Sequence, residues 1–227
     1  MTLTLSARSL RRVLPAIAVA LTLLSLTARL LHPGSLASLL DVNEEMSYPN
    51  WYSSLGLAAA SMLLWTIAWA SRRSGKREFL GHWIFLGAVF ALLSSDEIVG
   101  VHERVGAVLR RLGHFSGYLR FAWVIPAGVG LCFMGLAYLR FLAALPIRQR
   151  NLFLAAGAVY VSGALVLEMI GGKLADLYTW DSTVYVLCNH LEECLELCGV
   201  ALFNAALVEH LAGQLGPDGL SVRFRAD

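Results

Sequence analysis

Charged side chains are scarce in this sequence: they make up 15% of its 227 residues, whereas 57% of the residues are hydrophobic. An ordinary soluble domain carries about 25% charged residues, so this composition excludes that class. The net charge is only +2, and no Lys/Arg-rich tract is interleaved with aromatic residues, so no nucleic-acid partner is expected. The composition that remains is that of a multi-pass membrane protein.

Motifs of two kinds of membrane hydrolase are also missing. The sequence has no Gly-x-Ser-x-Gly element, the turn that exposes a nucleophilic serine. It also has no His-x-x-x-His pair of the kind that zinc-dependent membrane hydrolases use. The cysteines lie inside apolar segments, which argues against a disulfide framework: Cys132, Cys188, Cys194 and Cys198. These absences leave the ionisable residues within the apolar segments as the main evidence on function.

Six apolar stretches approach the roughly 20 residues with which an α-helix crosses a bilayer. They lie at about 13–31, 51–70, 79–98, 119–144, 152–171 and 184–211. The sequence therefore predicts an all-α polytopic membrane protein, a six-transmembrane-helix bundle forming one domain over residues 1–212. Residues 213–227 are predicted to form a disordered cytoplasmic tail. The first stretch is predicted to be a retained helix, because Leu26 stands where signal cleavage after Ala28 needs a small residue.

The distribution of Lys and Arg predicts the orientation of this bundle. Six spans put both termini on one side, where 12 of the 18 Lys and Arg residues fall, which leaves 6 on the other side. Loops rich in Lys and Arg remain in the cytoplasm. We therefore expect a bacterial inner-membrane protein with cytoplasmic termini and the lipid bilayer as its partner.

Small residues recur in two of the apolar stretches, where they would let helices approach closely. The fourth stretch contains Gly128, Gly130 and Gly135, and the fifth contains Ser162 and Gly163. We expect both groups of small residues to pack tightly against neighbouring helices.

Acidic and histidine side chains gather near the outer ends of the third, fifth and sixth stretches. An ionisable group at the centre of a membrane helix costs roughly 2.5–3.5 kcal/mol on insertion scales, so such groups indicate a functional site. Counting residues along the helices places them in one layer near the periplasmic leaflet: Asp96, Glu97, His102, Glu103, Glu168, His190, Glu192, Glu193 and Glu196.

Helical spacing brings several of these groups onto one face. In the sixth stretch, Glu192 and Glu196 are i,i+4 neighbours, and Glu193 lies three residues from both His190 and Glu196. Helix bundles that bind divalent metals present Asp, Glu and His inward in this way. The sequence predicts a site for iron, zinc or manganese with ligands drawn from a larger set: Asp96, Glu97, His102, Glu168, His190, Glu193 and Glu196.

A metal in this layer would activate water or oxygen, with a neighbouring carboxylate as base. The substrate would be a lipid or a small apolar molecule that reaches the site through the bilayer. Two other interpretations stay open. The carboxylates would conduct protons or a cation in a transporter or channel component, or they would be solvated at the interface with Glu97 or Glu103 paired to Arg104 or Arg110. A non-catalytic subunit of a membrane complex is a further alternative.

Three short motifs resemble those of a bacterial family of multi-pass membrane proteins. The motifs are Pro-Asn-Trp-Tyr-Ser-Ser at 49–54, Ser-Asp-Glu at 95–97 followed by His-Glu at 102–103, and Glu-Glu-x-x-Glu at 192–196. The resemblance extends over about residues 43–200. It implies six helices, and it implies no activity, cofactor or substrate.

Overall fold

The computed structural model describes residues 6–31, 38–44, 46–75 and 77–215, and within them the only regular structure is helical. The α-helices are α1 (Ala7–Leu31), α2 (Tyr48–Arg73), α3 (Leu80–Val99), α4 (Val101–Leu112), α5 (Val124–Ala144), α6 (Ile147–Val161), α7 (Glu168–Leu177) and α8 (Thr183–Leu215). A π-helical segment at Ser162–Leu167 joins α6 to α7 without a break, and a short 3-10 turn at Gly117–Leu119 precedes α5.

Six of these helical stretches are long and apolar enough to cross a membrane. They are α1, α2, α3, α5, the continuous α6–α7 helix and α8. The predicted six-helix fold is therefore confirmed. Helix α8 continues through Gly213 to Leu215, and the rest of the predicted tail, 216–227, lies outside the described residues.

Ion pairs at both ends of α1 and α8 show that these two helices run antiparallel. Arg11 contacts Glu209 at 2.8 Å, and Arg29 contacts Asp181 at 3.4 Å. We call the end of the bundle that contains Glu209 the proximal end, and the opposite end the distal end. The polar end of α3, which carries Asp96, lies at the distal end with the first turn of α2, because Asn50 donates to the main-chain oxygen of Glu97 at 2.8 Å.

The proximal half of the bundle is filled by aromatic side chains. Trp83 of α3 contacts Phe141 of α5 edge to face, with ring centroids 4.7 Å apart, and lies 6.1 Å from Phe153 of α6. Phe90 stacks on Phe203 of α8 at 4.8 Å. These contacts join α3, α5, α6 and α8 into one buried core at the proximal end.

Two glycines allow the α6–π segment to approach α8. A Cβ atom at Gly199 would lie 2.6 Å from the main-chain nitrogen of Tyr160, and one at Gly163 would lie 2.7 Å from the main-chain oxygen of Glu192. The tight packing predicted for Gly163 is thus confirmed. The same prediction is wrong for α5, because a Cβ at Gly128, Gly130 or Gly135 would meet no atom of the described residues within 4 Å.

The π-helical segment sets the direction of the residues that follow it. A π-helix accommodates one residue more than an α-helix per turn, and each residue turns an α-helix by about 100°, so the face presented after Leu167 is rotated. Glu168 is the first residue after this segment, and its carboxylate accepts a hydrogen bond from Trp123 Nε1 at 2.8 Å. The irregularity therefore helps to direct an acidic side chain into the bundle.

Candidate functional site

A cavity of ≈ 2110 Å³ lies between α3, α5, the α6–α7 helix and α8. Small-molecule pockets in proteins are usually about 300–1,000 Å³, so this space suits a larger or chain-like molecule. Its proximal part, which we call the apolar cleft, is lined chiefly by hydrophobic residues, among them Leu86, Phe90, Leu131, Met134 and Phe203. Its distal part is acidic.

The cleft opens sideways, between exposed apolar side chains. Phe85 of α3, Phe133 of α5 and Leu154 of α6 line the cavity and are 56%, 70% and 49% exposed. Helix α5 meets the other helices near its ends: Tyr138 donates to the main-chain oxygen of His82, and Trp123 donates to Glu168. A Cβ atom at Gly130 or Gly135, between these two contacts, would meet no atom of the described residues within 4 Å, so this side of α5 borders open space.

Carboxyl groups from three helices line the distal part, which we call the acid chamber: Asp96, Glu97, Glu168, Glu192, Glu193 and Glu196. Glu168 and Glu192 are electrostatic neighbours across the chamber. Glu193 and Glu196 are electrostatic neighbours of both Glu97 and Glu168. Acidic side chains of the third, fifth and sixth apolar stretches therefore line one cavity.

Glu97 is held by neutral donors. Ser53 donates to its Oε1 at 2.9 Å, and Asn50 Nδ2 donates to its Oε2 at 3.2 Å. These contacts differ from the pairing of Glu97 with Arg104 or Arg110 that a solvated interface would offer. Both donors come from the Pro-Asn-Trp-Tyr-Ser-Ser motif of α2, so this motif positions an acid of the chamber.

His102 closes the distal side of the chamber. Asp96 accepts two hydrogen bonds from it, one from the main-chain nitrogen at 2.9 Å and one from Nδ1 at 2.7 Å. The imidazole ring also lies 4.9 Å from the ring of Trp123, edge to face. Burial lowers the pKa of His102, but the hydrogen bond and charge of Asp96, with Glu103 and Glu168 nearby, raise the pKa above its ordinary value of 6.5.

His190 lies away from the acid chamber, which corrects its prediction as a ligand alongside Glu168 and Glu193. Its ring faces α1, where Nε2 lies 3.1 Å from the Ser25 hydroxyl, and Nδ1 lies 2.9 Å from the main-chain oxygen of Val186. Ser25 Oγ in turn accepts from the main-chain nitrogen of Val42 at 3.1 Å. Both ring nitrogens therefore have partners, and His190 ties α8 to α1. Sequence spacing predicted that His190 and Glu193 lie on one broad face of the helix. In the structure, His190 contacts α1 and Glu193 lines the cavity.

The remaining six predicted ligands line the cavity: Asp96, Glu97, His102, Glu168, Glu193 and Glu196. In the part of the chain that the structure describes, no three His, Cys, Asp or Glu side chains are arranged to hold a single metal ion. The acids are spread along the chamber, and the imidazole of His102 is engaged by Asp96. The predicted metal site stays a prediction.

The chamber offers acceptors with few matching donors. Across residues 6–31, 38–44, 46–75 and 77–215, no ion pair joins a Lys or Arg to an acid of the chamber. Four arginines line the same cavity: Arg29 pairs with Asp41 and Asp181, Arg120 pairs with Asp176, and Arg104 and Arg110 form no ion pair among the described residues. The buried Oδ1 of Asn189, which lines the same cavity, has no hydrogen-bond partner among the described residues. The arrangement suits a group that is cationic or rich in hydrogen-bond donors.

Sequence analysis missed several side chains that line or support the chamber. Trp123 was predicted only as part of a span, Asn50 and Ser53 appeared only in the motif at 49–54, and Tyr160 and Asn189 were not considered. Glu192 was in the predicted layer without being chosen as a ligand, yet it is only 6% exposed. The sequence did mark Asn50 and Ser53, because both belong to the motif at 49–54. The structure shows that this motif begins a helix beside the acidic end of α3. Trp123 carried no comparable signal.

Comparison with known proteins identifies a family for this chain but indicates no activity. No curated protein matches the chain, and no solved structure matches it. The matching family model covers residues 13–211, which includes the second to fifth spans, most of the first and sixth spans and every side chain of the acid chamber. The chain belongs to this family, which is described as a domain of unknown function (DUF8692).

Proposed function

We propose that this protein binds an amphipathic molecule drawn from the bilayer, with its chain in the apolar cleft and its head in the acid chamber. The observation that carries this proposal is the single cavity that joins both regions. An apolar chain gains contacts along α3, α5 and α6, while a polar head reaches the carboxyl groups of α3, α7 and α8. We propose enzymatic conversion of this ligand only in combination with the divalent cation described below.

The proposed head is cationic or rich in donors, because the chamber presents carboxyl oxygens and the unpartnered amide oxygen of Asn189. A buried carboxylate is stabilised by an opposite charge within about 4–6 Å. An ammonium group can donate three hydrogen bonds, and the carboxyl groups of the chamber are acceptors for them.

We further propose that the protein lies in a bacterial inner membrane with both termini in the cytoplasm, so that the acid chamber lies near the periplasmic leaflet. The support is the 12 to 6 excess of Lys and Arg on the side of the termini. Reporter fusions test this orientation. Fusions after Arg77 and Arg150 should report cytoplasm, and a fusion near Tyr178 should report periplasm. Periplasmic signal after Arg77 would reverse the orientation.

Photolabelling tests the ligand proposal. The purified protein in lipid nanodiscs is exposed to a long-chain alkylamine that carries a diazirine in its chain, and to the fatty acid with the same chain. The amine should label peptides of α3 and α5, and the fatty acid should label them far less. Equal labelling by both probes would contradict the proposed head chemistry.

Variants that fill the cleft sharpen this test. Gly130 and Gly135 line the cavity and have open space around them, so Gly130→Leu and Gly135→Leu should occupy the cleft without a clash. Both should reduce labelling by the amine. Gly128→Leu is the matched control, because Gly128 also has open space but does not line the cavity. The cleft would be rejected as the binding region if all three variants were labelled like the wild type.

A second candidate function is binding of a divalent cation, iron, zinc or manganese, by the acids of the chamber, with hydrolytic or oxidative chemistry on a lipid. The observation that favours it is the convergence of carboxyl groups from three helices without an ion-paired Lys or Arg among the described residues. Elemental analysis of protein purified without chelator is the direct test. Stoichiometric metal that is lost in Glu193→Gln and kept in Glu78→Gln would support this candidate, whereas protein without metal would reject it.

A further inference from the structure

Helix α4 carries an apolar stripe that none of the described helices covers. Valine and leucine recur at helical spacing along it, and all four side chains are exposed: Val101, Val105, Val108 and Leu112. Val108 is 55% exposed and Leu112 is 80% exposed. Sequence analysis treated this stretch as part of an outer loop, so the helix and its stripe are findings of the structure.

The other faces of α4 are directed toward the protein and toward polar surroundings. Gly106 is buried, and a Cβ there would lie 3.6 Å from the main-chain nitrogen of Trp123. His102, Glu103, Arg104, Ala107 and Arg110 line the cavity, so Arg104 lies at the edge between the cavity-facing side and the apolar stripe. Helix α4 therefore covers part of the acid chamber with one face, while its apolar stripe points elsewhere.

The start of α4 is fixed at the distal end of α3. Gly100, with φ of 62°, separates the two helices in a left-handed conformation that suits glycine, and the hydrogen bonds from His102 to Asp96 span this turn. The turn changes the direction of the chain where the apolar span of α3 ends.

Aromatic residues mark the depth of this turn. Asn50 donates to the main chain of Glu97, three residues before Gly100, so the first turn of α2 lies beside the start of α4. That first turn exposes Tyr48 and Trp51, by 65% and 63%. Exposed Tyr and Trp at a helix end are typical of the boundary between membrane and water. Helix α4 thus begins at the level of this boundary.

Basic side chains flank the stripe. At about 100° per residue, Arg104 and Arg111 lie on one shoulder of the apolar face of α4. Both are exposed, and neither forms an ion pair in the described part of the chain. Helices that lie in the interface have this arrangement, in which the apolar face enters the acyl region and Lys or Arg contacts lipid phosphates.

We propose that α4 lies in the distal interface of the bilayer, with its valine and leucine stripe among the acyl chains and with Arg104 and Arg111 bound to anionic lipid headgroups. The membrane then holds α4 in place from one side while the opposite side covers the acid chamber. This proposal rests on the membrane-spanning fold and is independent of the ligand proposed for the cleft.

Fluorescence in nanodiscs tests the position of α4. A variant with Cys132, Cys188, Cys194 and Cys198 changed to Ala receives a single cysteine, Val105→Cys or Leu112→Cys, labelled with the environment-sensitive dye NBD. Both positions should show blue-shifted emission and quenching by spin-labelled lipid. Glu103→Cys is the matched control on the cavity-facing side, and its dye should be quenched less by that lipid. Water-like emission and iodide quenching at Val105 and Leu112 would overturn the proposal.

A measurement without labels covers the case in which the cysteine-free variant does not fold. Hydrogen exchange of residues 101–112 in the wild-type protein should be slower in nanodiscs with phosphatidylglycerol than in those with phosphatidylcholine alone. The double variant Arg104→Gln/Arg111→Gln should lose this difference, whereas Arg72→Gln/Arg73→Gln, at the opposite end of the bundle, should keep it. Equal exchange in both lipids for the wild type would overturn the role of anionic headgroups.

Discussion

At the proximal end of α8, Glu209 lies between two arginines, whereas at the distal end of the same helix Glu192, Glu193 and Glu196 form no ion pair among the described residues. Arg11 and Arg148 each contact Glu209 at 2.8 Å. Glu209 thus connects α8 to α1 and α6, and the two arginines neutralise its negative charge. The distal acids line a cavity instead. Where an acidic side chain stabilises the fold, as Glu209 does, basic side chains of the protein neutralise its charge. Acidic side chains without such a partner are available to bind a ligand or a proton.

Packing also differs between the two ends: the proximal end is filled by side chains, and the distal end contains open space. Proximally, Trp83, Phe141, Phe153 and Phe203 fill the space between the helices. Distally, the helices are joined chiefly by hydrogen bonds, such as those from Asn50 and Ser53 to Glu97 and from Trp123 to Glu168, and space remains between them. We infer that the proximal half supplies most of the stability and that the distal half is the more easily changed. Each of the following variants tests one side of this contrast.

The largest effect on stability is expected from Trp83→Ala. Trp83 is 4% exposed and contacts rings of three helices, so its removal leaves a cavity in the proximal core. Large-to-small changes of this kind cost about 3 kcal/mol or more. Denaturant unfolding in mixed micelles measures the loss. Trp69→Ala, which removes an equally large ring that is 47% exposed, should have a much smaller effect. Similar losses for both would place the stability outside the proximal core.

Gly199→Ala is expected to destabilise the protein by about 1–3 kcal/mol, because the new methyl group would overlap the main chain of Tyr160. The variant should also weaken labelling by the amine probe, since Tyr160 lines the cavity. Thermal melting and photolabelling measure the two effects. Gly213→Ala, in the same helix with open space around it, should leave both unchanged or slightly raise the melting temperature. Wild-type behaviour of Gly199→Ala would show that α6 and α8 can separate without cost.

Neutralising one acidic side chain at each end should change the stability of the protein in opposite directions. Glu209→Gln removes the partner of Arg11 and Arg148 and should lower stability by about 1 kcal/mol. Glu193→Gln removes one of several crowded carboxyl groups and should raise stability by about 1 kcal/mol in protein free of metal. Melting curves with and without chelator measure both. A loss of stability in Glu193→Gln that chelator reproduces in the wild type would instead support the bound cation.

The smallest effect is expected from pH at the contact between His102 and Asp96. The pKa of His102 is raised in the folded protein, so its contribution to stability is complete below about 6.5 and is lost as pH rises through the folded pKa. The groups that face it are Asp96 of α3, Glu103 of α4 and Glu168 of α7.

Hydrogen exchange of residues 101–112, corrected for the intrinsic effect of pH, should therefore become faster as pH rises through this range. His102→Gln should remove the transition, and His114→Gln, at an exposed position, should keep it. A transition that persists in His102→Gln would assign the pH response to another group.

The extent to which the sequence predicted these features differs from one element to another. The third span was predicted at 79–98 and is α3, Leu80–Val99, because a long apolar run between polar segments has one plausible structure in a bilayer. Helix α4 was missed, although its valines and leucine recur at helical spacing, because the search for spans passes over short helices. The π-helical segment has no comparable signal in the sequence.

The sequence by itself determined the class of fold, the six spans and the layer in which the acids lie, because hydrophobic length and residue count along a helix set depth in a membrane. Only the tertiary structure decided which side of each helix meets which neighbour. It turned His190 toward Ser25 and Glu192 toward Glu168, and it left Gly130 facing open space where close packing was expected. Rotation about a helix axis depends on contacts with other helices, and residues distant in sequence supply those contacts.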